Sequence, residues 1–180
     1  MYEAIMFLTE NFEEVEAIAT LDILRRGGVK AASVSITGER VVKGSRDICV
    51  TADLIFEELP DVSNAMLILP GGPGTTSYKE HEPLLELLRT HNAHNRPLAA
   101  ICAAPTIFGM LGFLSDKTAA CYPSCEPQLN AAKISKDPTV TDRNITTSKG
   151  VGTSINFALE LLRLLKGNDE ATRIADMILA

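Results

Sequence analysis

The sequence predicts an α/β fold in which a parallel β-sheet is covered by helices on both faces. Three observations carry that reading. Short, wholly apolar runs recur at Ile5–Leu8, Ala65–Leu69 and Leu98–Ile101, as strands buried on both faces require. Segments with apolar residues at helical spacing alternate with these runs. Glycine and proline gather where the runs end and the chain must turn.

Taken in order, Tyr2–Leu8 reads as the first strand. Asn11 reads as a helix N-cap, with Glu14 three residues on as in a capping box. Glu14, Ala17, Ile18, Leu21 and Leu24 then keep helical spacing until Gly27-Gly28 stops them. Val29–Ile36 is the next strand, and Thr37–Ala52, with Gly38 and Gly44, reads as a hairpin excursion. The strand Ala65–Leu69 ends abruptly in Pro70-Gly71-Gly72-Pro73-Gly74. Glu82–Asn95 is a helix, Leu98–Ile101 a strand and Ala103–Leu111 a helix. Ile145–Ser148 is a last central strand, followed by a strongly amphipathic helix from Thr153 to Lys166. Gly167 ends that helix and Asp169 is expected to cap a final one.

The 180 residues are 46% apolar and 22% charged, which fits one domain over residues 1–180 and excludes disorder. A chain of this length hides roughly 70% of its unfolded surface, so it needs no metal or disulfide staple. Net charge is −6 with no basic block, which argues against nucleic acid or an anionic membrane as the main partner. Leu98–Leu114 is almost free of polar side chains, but Pro105, Gly109 and Gly112 break it. A membrane-spanning helix wants about 20 uninterrupted residues. Met1-Tyr2-Glu3 shows no basic export signal, so the expected setting is cytoplasmic, with reduced thiols. The cysteines are Cys49, Cys102, Cys121 and Cys125. Cys121 and Cys125 form the one close pair; with no further ligands nearby they read as two ordinary thiols, not a zinc site. No metal and no cofactor are expected.

In parallel sheets ligands sit beyond the C-terminal ends of the strands. Chemistry is therefore sought in Thr9–Glu16, Gly71–Thr76, Cys102–Pro105 and Lys149–Thr153. Cys102 stands at a strand end with Ala100 two before it and Ala104 two after. A nucleophile elbow tolerates only small residues at those positions. A thiol there meets the start of a helix, whose free N–H groups favour thiolate. No histidine follows residue 94, and His81, His91 and His94 read as solvated side chains of a polar helix. A Cys-then-His triad is excluded, so the partner must be an acid. Glu13, Glu14 and Glu16 lie in the right place. The capping box accounts for Glu14 and leaves Glu16 free, although spacing alone does not choose it. The glycine-rich turn at 70–74 lacks the Gly-Lys-[Ser/Thr] of a P-loop and the last glycine of a dinucleotide fingerprint. It fits a tight turn and an oxyanion hole equally well.

Leu-Pro-Gly-Gly at 69–72, Ala-Ala-Ile-Cys-Ala-x-Pro at 99–105, Glu-Glu-x-Glu at 13–16 and Thr-Ser-x-Gly-x-Gly-Thr at 147–153 together resemble the ThiJ/PfpI family. The resemblance runs from Ile5 to about Leu165, within the branch of the Parkinsonism-associated deglycase/chaperone. It implies a flavodoxin-like three-layer sandwich, as in class I glutamine amidotransferases, and a homodimer. It makes Cys102 the reactive cysteine and Glu16 the protonated carboxyl hydrogen-bonded to its sulfur. Gly71 and Gly72 would supply backbone donors, with Ala103, Arg46 and Tyr122 completing the binding site. The activity implied is cysteine-dependent glyoxalase or deglycase chemistry on 2-oxoaldehydes such as methylglyoxal, or on their early adducts. The alternative is a redox-sensing chaperone whose cysteine oxidises to sulfinate. Tyr122 stands where many members carry histidine, which removes an imidazole proton shuttle, and Lys149 and Val151 also depart from the common pattern. Ala103, in place of the peptidase branch's histidine, argues against an amidase or peptidase. A role in thiamine-precursor synthesis rests on the family's naming alone.

Overall fold

The computed structural model describes Met1–Ala180. The first half of the chain runs β1 (Ala4–Leu8), α1 (Glu14–Arg26), β2 (Ala31–Ser35), β3 (Val41–Lys43), β4 (Cys49–Thr51), β5 (Leu54–Ile55), β6 (Met66–Leu69), α2 (Thr75–Tyr78) and α3 (Glu82–Ala93). The second half adds β7 (Leu98–Ile101), α4 (Pro105–Met110), β8 (Thr118–Ala119), β9 (Lys133–Ile134), β10 (Thr139–Asp142), β11 (Ile145–Ser148), α5 (Ser154–Lys166) and α6 (Asn168–Ile178).

Side chains of β1 alternate between two cores, because successive Cβ atoms of a strand face opposite ways. Ile5 and Phe7 join one core; Ala4, Met6 and Leu8 join the other. β6 and β7 repeat the pattern, with Leu67, Leu69, Leu98 and Ala100 on the first side and Met66, Ile68, Ala99 and Ile101 on the second. A sheet apolar on both faces must lie between two helical layers. α1, α5 and α6 cover one face through Leu24, Phe157, Leu161 and Ile174. α3 and α4 cover the other through Leu84, Leu88, Ile107 and Phe108. The sheet order is β10-β11-β7-β6-β1-β2-β5, parallel except for the edge strand β10. This is the flavodoxin-like three-layer sandwich that the sequence predicts.

The hairpin excursion is present as the β3–β4 pair. Strand β10 was not legible, since Thr139–Asp142 is half-buried and holds one apolar residue. Its hydroxyls instead pair across the ladder, Thr141 with Thr146 and Thr139 with Ser148. Three expectations are corrected. Asn11 does not cap α1: it has a left-handed backbone (φ 59°), and the helix starts after Glu13. Asp169 lies inside the first turn of α6, which Gly167 precedes. His91 is fully buried, not solvated, and its Nε2 meets the Ala65 carbonyl at 3.2 Å. It continues the stripe of Leu84 and Leu88 along α3, so the helix face that carries it is the core face. His81 caps the same helix by accepting the Leu84 N–H, and His94 is exposed. No helix is long and apolar enough to cross a membrane, and Leu98–Leu114 divides into β7 and α4.

Phe7, wholly buried in the central strand, sets a test of this packing. Phe7→Ala is expected to lower unfolding free energy by about 3–5 kcal/mol. A urea midpoint close to wild type would contradict the two-sided core.

Candidate active site

The C-terminal ends of β1, β6, β7 and β11 converge on Cys102. Its backbone is left-handed (φ 66°), a strained state for a residue with a side chain. Two bonds hold it there: its N–H donates to the Ser148 carbonyl at 3.0 Å, and its carbonyl accepts the Tyr122 N–H at 2.8 Å. Ala100 and Ala104 are both fully buried, so the elbow's need for small neighbours is met.

Glu16 stands in the first turn of α1, completely buried. Its Oε2 accepts the Gly71 N–H at 2.8 Å, while Oε1, also buried, has no partner in regular hydrogen-bond geometry. The Cys102 thiol adjoins this carboxyl. Burial pushes Glu16 up to about 7, against the lowering influence of the Gly71 N–H and the thiol. Burial also pushes Cys102 up, to about 12, and the neighbouring Glu16 charge adds to it. The Gly72 and Ala103 N–H groups face the sulfur and act in the opposite direction. The expectation that the helix start alone makes Cys102 acidic is therefore corrected. α4 has only six residues, and burial of the thiol, with the neighbouring carboxylate second, outweighs its donors. Burial opposes ionisation of both groups; the thiol's hydrogen bond favours the Glu16 carboxylate, and that charge in turn opposes the thiolate, so the two titrate as a coupled pair.

The turn at 70–74 brings the two together. A Cβ on Gly71 would lie 2.6 Å from Cys102 Cβ and 2.9 Å from Glu16 Oε2. Gly72 (φ 101°) passes equally close to the Asn11 carbonyl. Only glycine lets this backbone through. The expected roles divide accordingly: the Gly71 N–H is spent on Glu16, and Gly72 with Ala103 supplies the donors at sulfur.

Glu14 is not a capping residue. It is buried, accepting the Arg46 N–H at 2.6 Å and the Ser45 hydroxyl at 3.2 Å. Burial alone would raise its pKa, but these donors hold it below the ordinary carboxylate range. It thereby anchors the β3–β4 turn that carries Arg46. An open cleft of about 460 Å³ results, lined by Cys102, Glu16, Gly72, Ala103, Arg46 and Tyr122. Gly71 lies behind it. Glu13, one of the three candidate acids, also lines it, as does Cys125, to which sequence reasoning gave no role there. Gly150, likewise missed, roofs the pair: a Cβ there would lie 3.8 Å from both Cys102 Sγ and Glu16 Oε1. Its only sequence signal was its place after β11 in the Thr-Ser-x-Gly-x-Gly-Thr run. No cluster of three or more His, Cys, Asp or Glu side chains could hold a metal ion.

Comparison with known proteins decides the family. The DJ-1/PfpI family model matches residues 2–164. The chain belongs to the DJ-1/PfpI family. The Drosophila melanogaster protein dj-1beta is 34% identical over 179 residues, covering 98% of this chain and 96% of that protein. Its crystal structure superposes with a TM-score of 0.92 over 100% of this chain and 99% of that one. A Caenorhabditis elegans relative named glutathione-independent glyoxalase DJR-1.2 is 30% identical, covering 94% of this chain and 91% of that protein. Oxidised Toxoplasma gondii DJ-1 is 30% identical with a TM-score of 0.91, covering 99% of this chain and 98% of that one.

In this DJ-1/PfpI protein the raised Glu16 pKa has a stability consequence with a definite sign. An unfolded glutamate loses its proton near 4.5, whereas the folded one keeps it to about 7. Stability from this group is full below 4.5 and is lost as pH rises to about 7. The loss is at most roughly 3 kcal/mol. Glu16→Gln, which cannot ionise, is expected to flatten that part of the profile and to be the more stable protein above pH 7. Urea unfolding across pH reads this directly. An unchanged slope in Glu16→Gln would contradict the buried, protonated carboxyl.

Proposed function

We propose that the cleft is the active site of a cysteine-dependent glyoxalase or deglycase acting on 2-oxoaldehydes or their early adducts. The observation that carries this is the wholly buried Glu16 carboxyl, with one oxygen unpartnered, against a thiol held on a strained elbow. The relative named a glutathione-independent glyoxalase supports the substrate class.

With methylglyoxal, the Cys102 thiolate adds to the aldehyde carbon, forming a C–S bond while the carbonyl electrons move to oxygen. Glu16 gives its proton to that oxygen, which completes the hemithioacetal. The resulting Glu16 carboxylate removes the proton from the former aldehyde carbon and returns it to the ketone carbon, while the hydroxyl proton passes from the first oxygen to the former ketone oxygen. The product is a lactoyl thioester on Cys102, an internal redox exchange with no outside oxidant. Water then attacks the thioester, the C–S bond breaks, and lactate leaves as the thiol regains its proton. The Gly72 and Ala103 N–H groups are the donors available to the developing negative charge. In an early adduct, Cys102 attacks the adduct carbon, the bond to the amine or thiol breaks and that repaired group leaves with a proton; the hemithioacetal left on Cys102 then gives lactate as above.

A second reading is favoured by the same thiol and by the oxidised state named for the Toxoplasma relative. Here Cys102 is a peroxide sensor passing through sulfenic to sulfinic acid, and the protein is a redox-regulated chaperone. A homodimer is proposed as well. Val15, Ile18 and Ile48 are 49%, 42% and 56% exposed and share a shallow apolar recess beside the Arg46 turn. Neither nucleic acid nor membrane is proposed as a partner.

Methylglyoxal turnover separates the readings. Wild type is expected to form lactate, Cys102→Ser to form none, and Glu16→Gln to be slower by roughly 10²–10⁴-fold. Glu13→Gln, which leaves the proton carrier in place, is expected to change little. Turnover by Cys102→Ser, or equal losses in Glu13→Gln and Glu16→Gln, would sink the assignment. Wild type that oxidises but never consumes methylglyoxal would establish the sensor. Ile18→Glu is expected to shift a dimer to monomer in sedimentation; an unchanged mass would place the interface elsewhere.

A further inference from the structure

We propose that Cys125 is the resolving thiol of Cys102, capturing its first oxidation product as a Cys102–Cys125 disulfide before the sulfinate forms. The inference rests on the reading of Cys102 as the reactive cysteine, and adds a second residue and a reversible state to it.

Cys121 and Cys125 stand four residues apart, and the fold separates them. Cys121 is 1% exposed in the core, its thiol turned on the Tyr122 carbonyl at 3.3 Å. Cys125 is half-buried and lines the same cleft as Cys102. Cys49 is exposed on β4, at the outer hairpin, and does not line it. Of the three other thiols, Cys125 alone shares the space in which an oxidant would meet Cys102.

The backbone links the two cysteines through one residue. Tyr122 donates its N–H to the Cys102 carbonyl and accepts the Cys125 N–H, each at 2.8 Å. A disulfide needs Cα atoms within roughly 7 Å. Cys125 sits in a short 3₁₀ helix, Pro123–Gln128, outside the central sheet. The mechanism proposed above makes no use of the Cys125 sulfur.

The chemistry balances with a peroxide as oxidant. The Cys102 thiolate donates an electron pair to a peroxide oxygen, the O–O bond breaks, and sulfenic acid forms as hydroxide leaves and takes a proton. The Cys125 thiolate then attacks the Cys102 sulfur, the S–O bond breaks, and the oxygen departs as water with the proton Cys125 released. An external dithiol reverses the bridge. The bridged protein has no nucleophile, and its Cys102 is shielded from further oxidation.

The test is graded hydrogen peroxide on wild type, Cys125→Ser and Cys121→Ala, followed by non-reducing proteolysis and peptide mass. Wild type and Cys121→Ala are expected to yield a linked Cys102–Cys125 peptide that a dithiol removes. Cys125→Ser is expected to accumulate Cys102 sulfinate on the order of tenfold faster than wild type. Sulfinate in wild type at the Cys125→Ser rate, or a Cys121–Cys125 bridge in its place, would overturn the proposal while leaving Cys102 reactive. Cys102 reduced in all three proteins would overturn the reactive-cysteine reading itself, and this proposal with it.

Discussion

A carboxyl group buried at the floor of a cleft and set against a thiol is the constraint on which the site depends. Glu16 is fully buried and meets one committed donor, the Gly71 N–H. Leaving an ionised carboxylate there costs much more than leaving a neutral acid, so the proton stays at pH values where an ordinary glutamate has lost it. That retained proton is what a nucleophilic thiol needs nearby. In the chemistry proposed above it neutralises the alkoxide that forms when the sulfur adds. The elbow, the glycine turn and the roof at Gly150 all keep these two groups together and dry on one side.

Two glycines flank the pair: at Gly71 there is no room for a side chain, and at Gly150 the positive φ rather than crowding disfavours one. Side chains on Gly71 would strike Cys102 Cβ and the Glu16 carboxyl. One on Gly150 would reach the sulfur and the unpartnered carboxyl oxygen together. The two glycines act from opposite sides, one after β6 and one after β11. Parallel strands make this possible, because all their C-terminal ends open on the same edge of the sheet.

The sheet was legible because burial on both faces leaves a strong mark: β1, β6 and β7 contain no polar residue. β10 left no such mark, being a half-buried edge held by hydroxyl pairs. Cys102 was legible for a local reason, since an elbow constrains its own neighbours in sequence. Glu16 was legible only through family resemblance. Residues 13, 14 and 16 are all acids in one helical turn, and what distinguishes them comes from remote segments. Gly71 reaches Glu16 from 55 residues away, and the Arg46 turn reaches Glu14 from 32. His91 was misread for a similar reason. A polar residue on a core stripe is betrayed only by the Ala65 carbonyl that receives it.

The reversal at Cys102 follows the same logic one step further. Helix-start donors are encoded beside the cysteine, at Ala103, and argue for a low pKa. The opposing carboxylate comes from α1, more than 80 residues earlier, and its effect depends on whether it holds a proton. With Glu16 ionised, two negative charges would share a buried site, which low dielectric makes costly. With Glu16 protonated, that repulsion is gone and the Gly72 and Ala103 N–H groups act on the sulfur unopposed by charge. Reactivity therefore belongs to the pair, and any influence that stabilises the carboxylic acid form favours the thiolate.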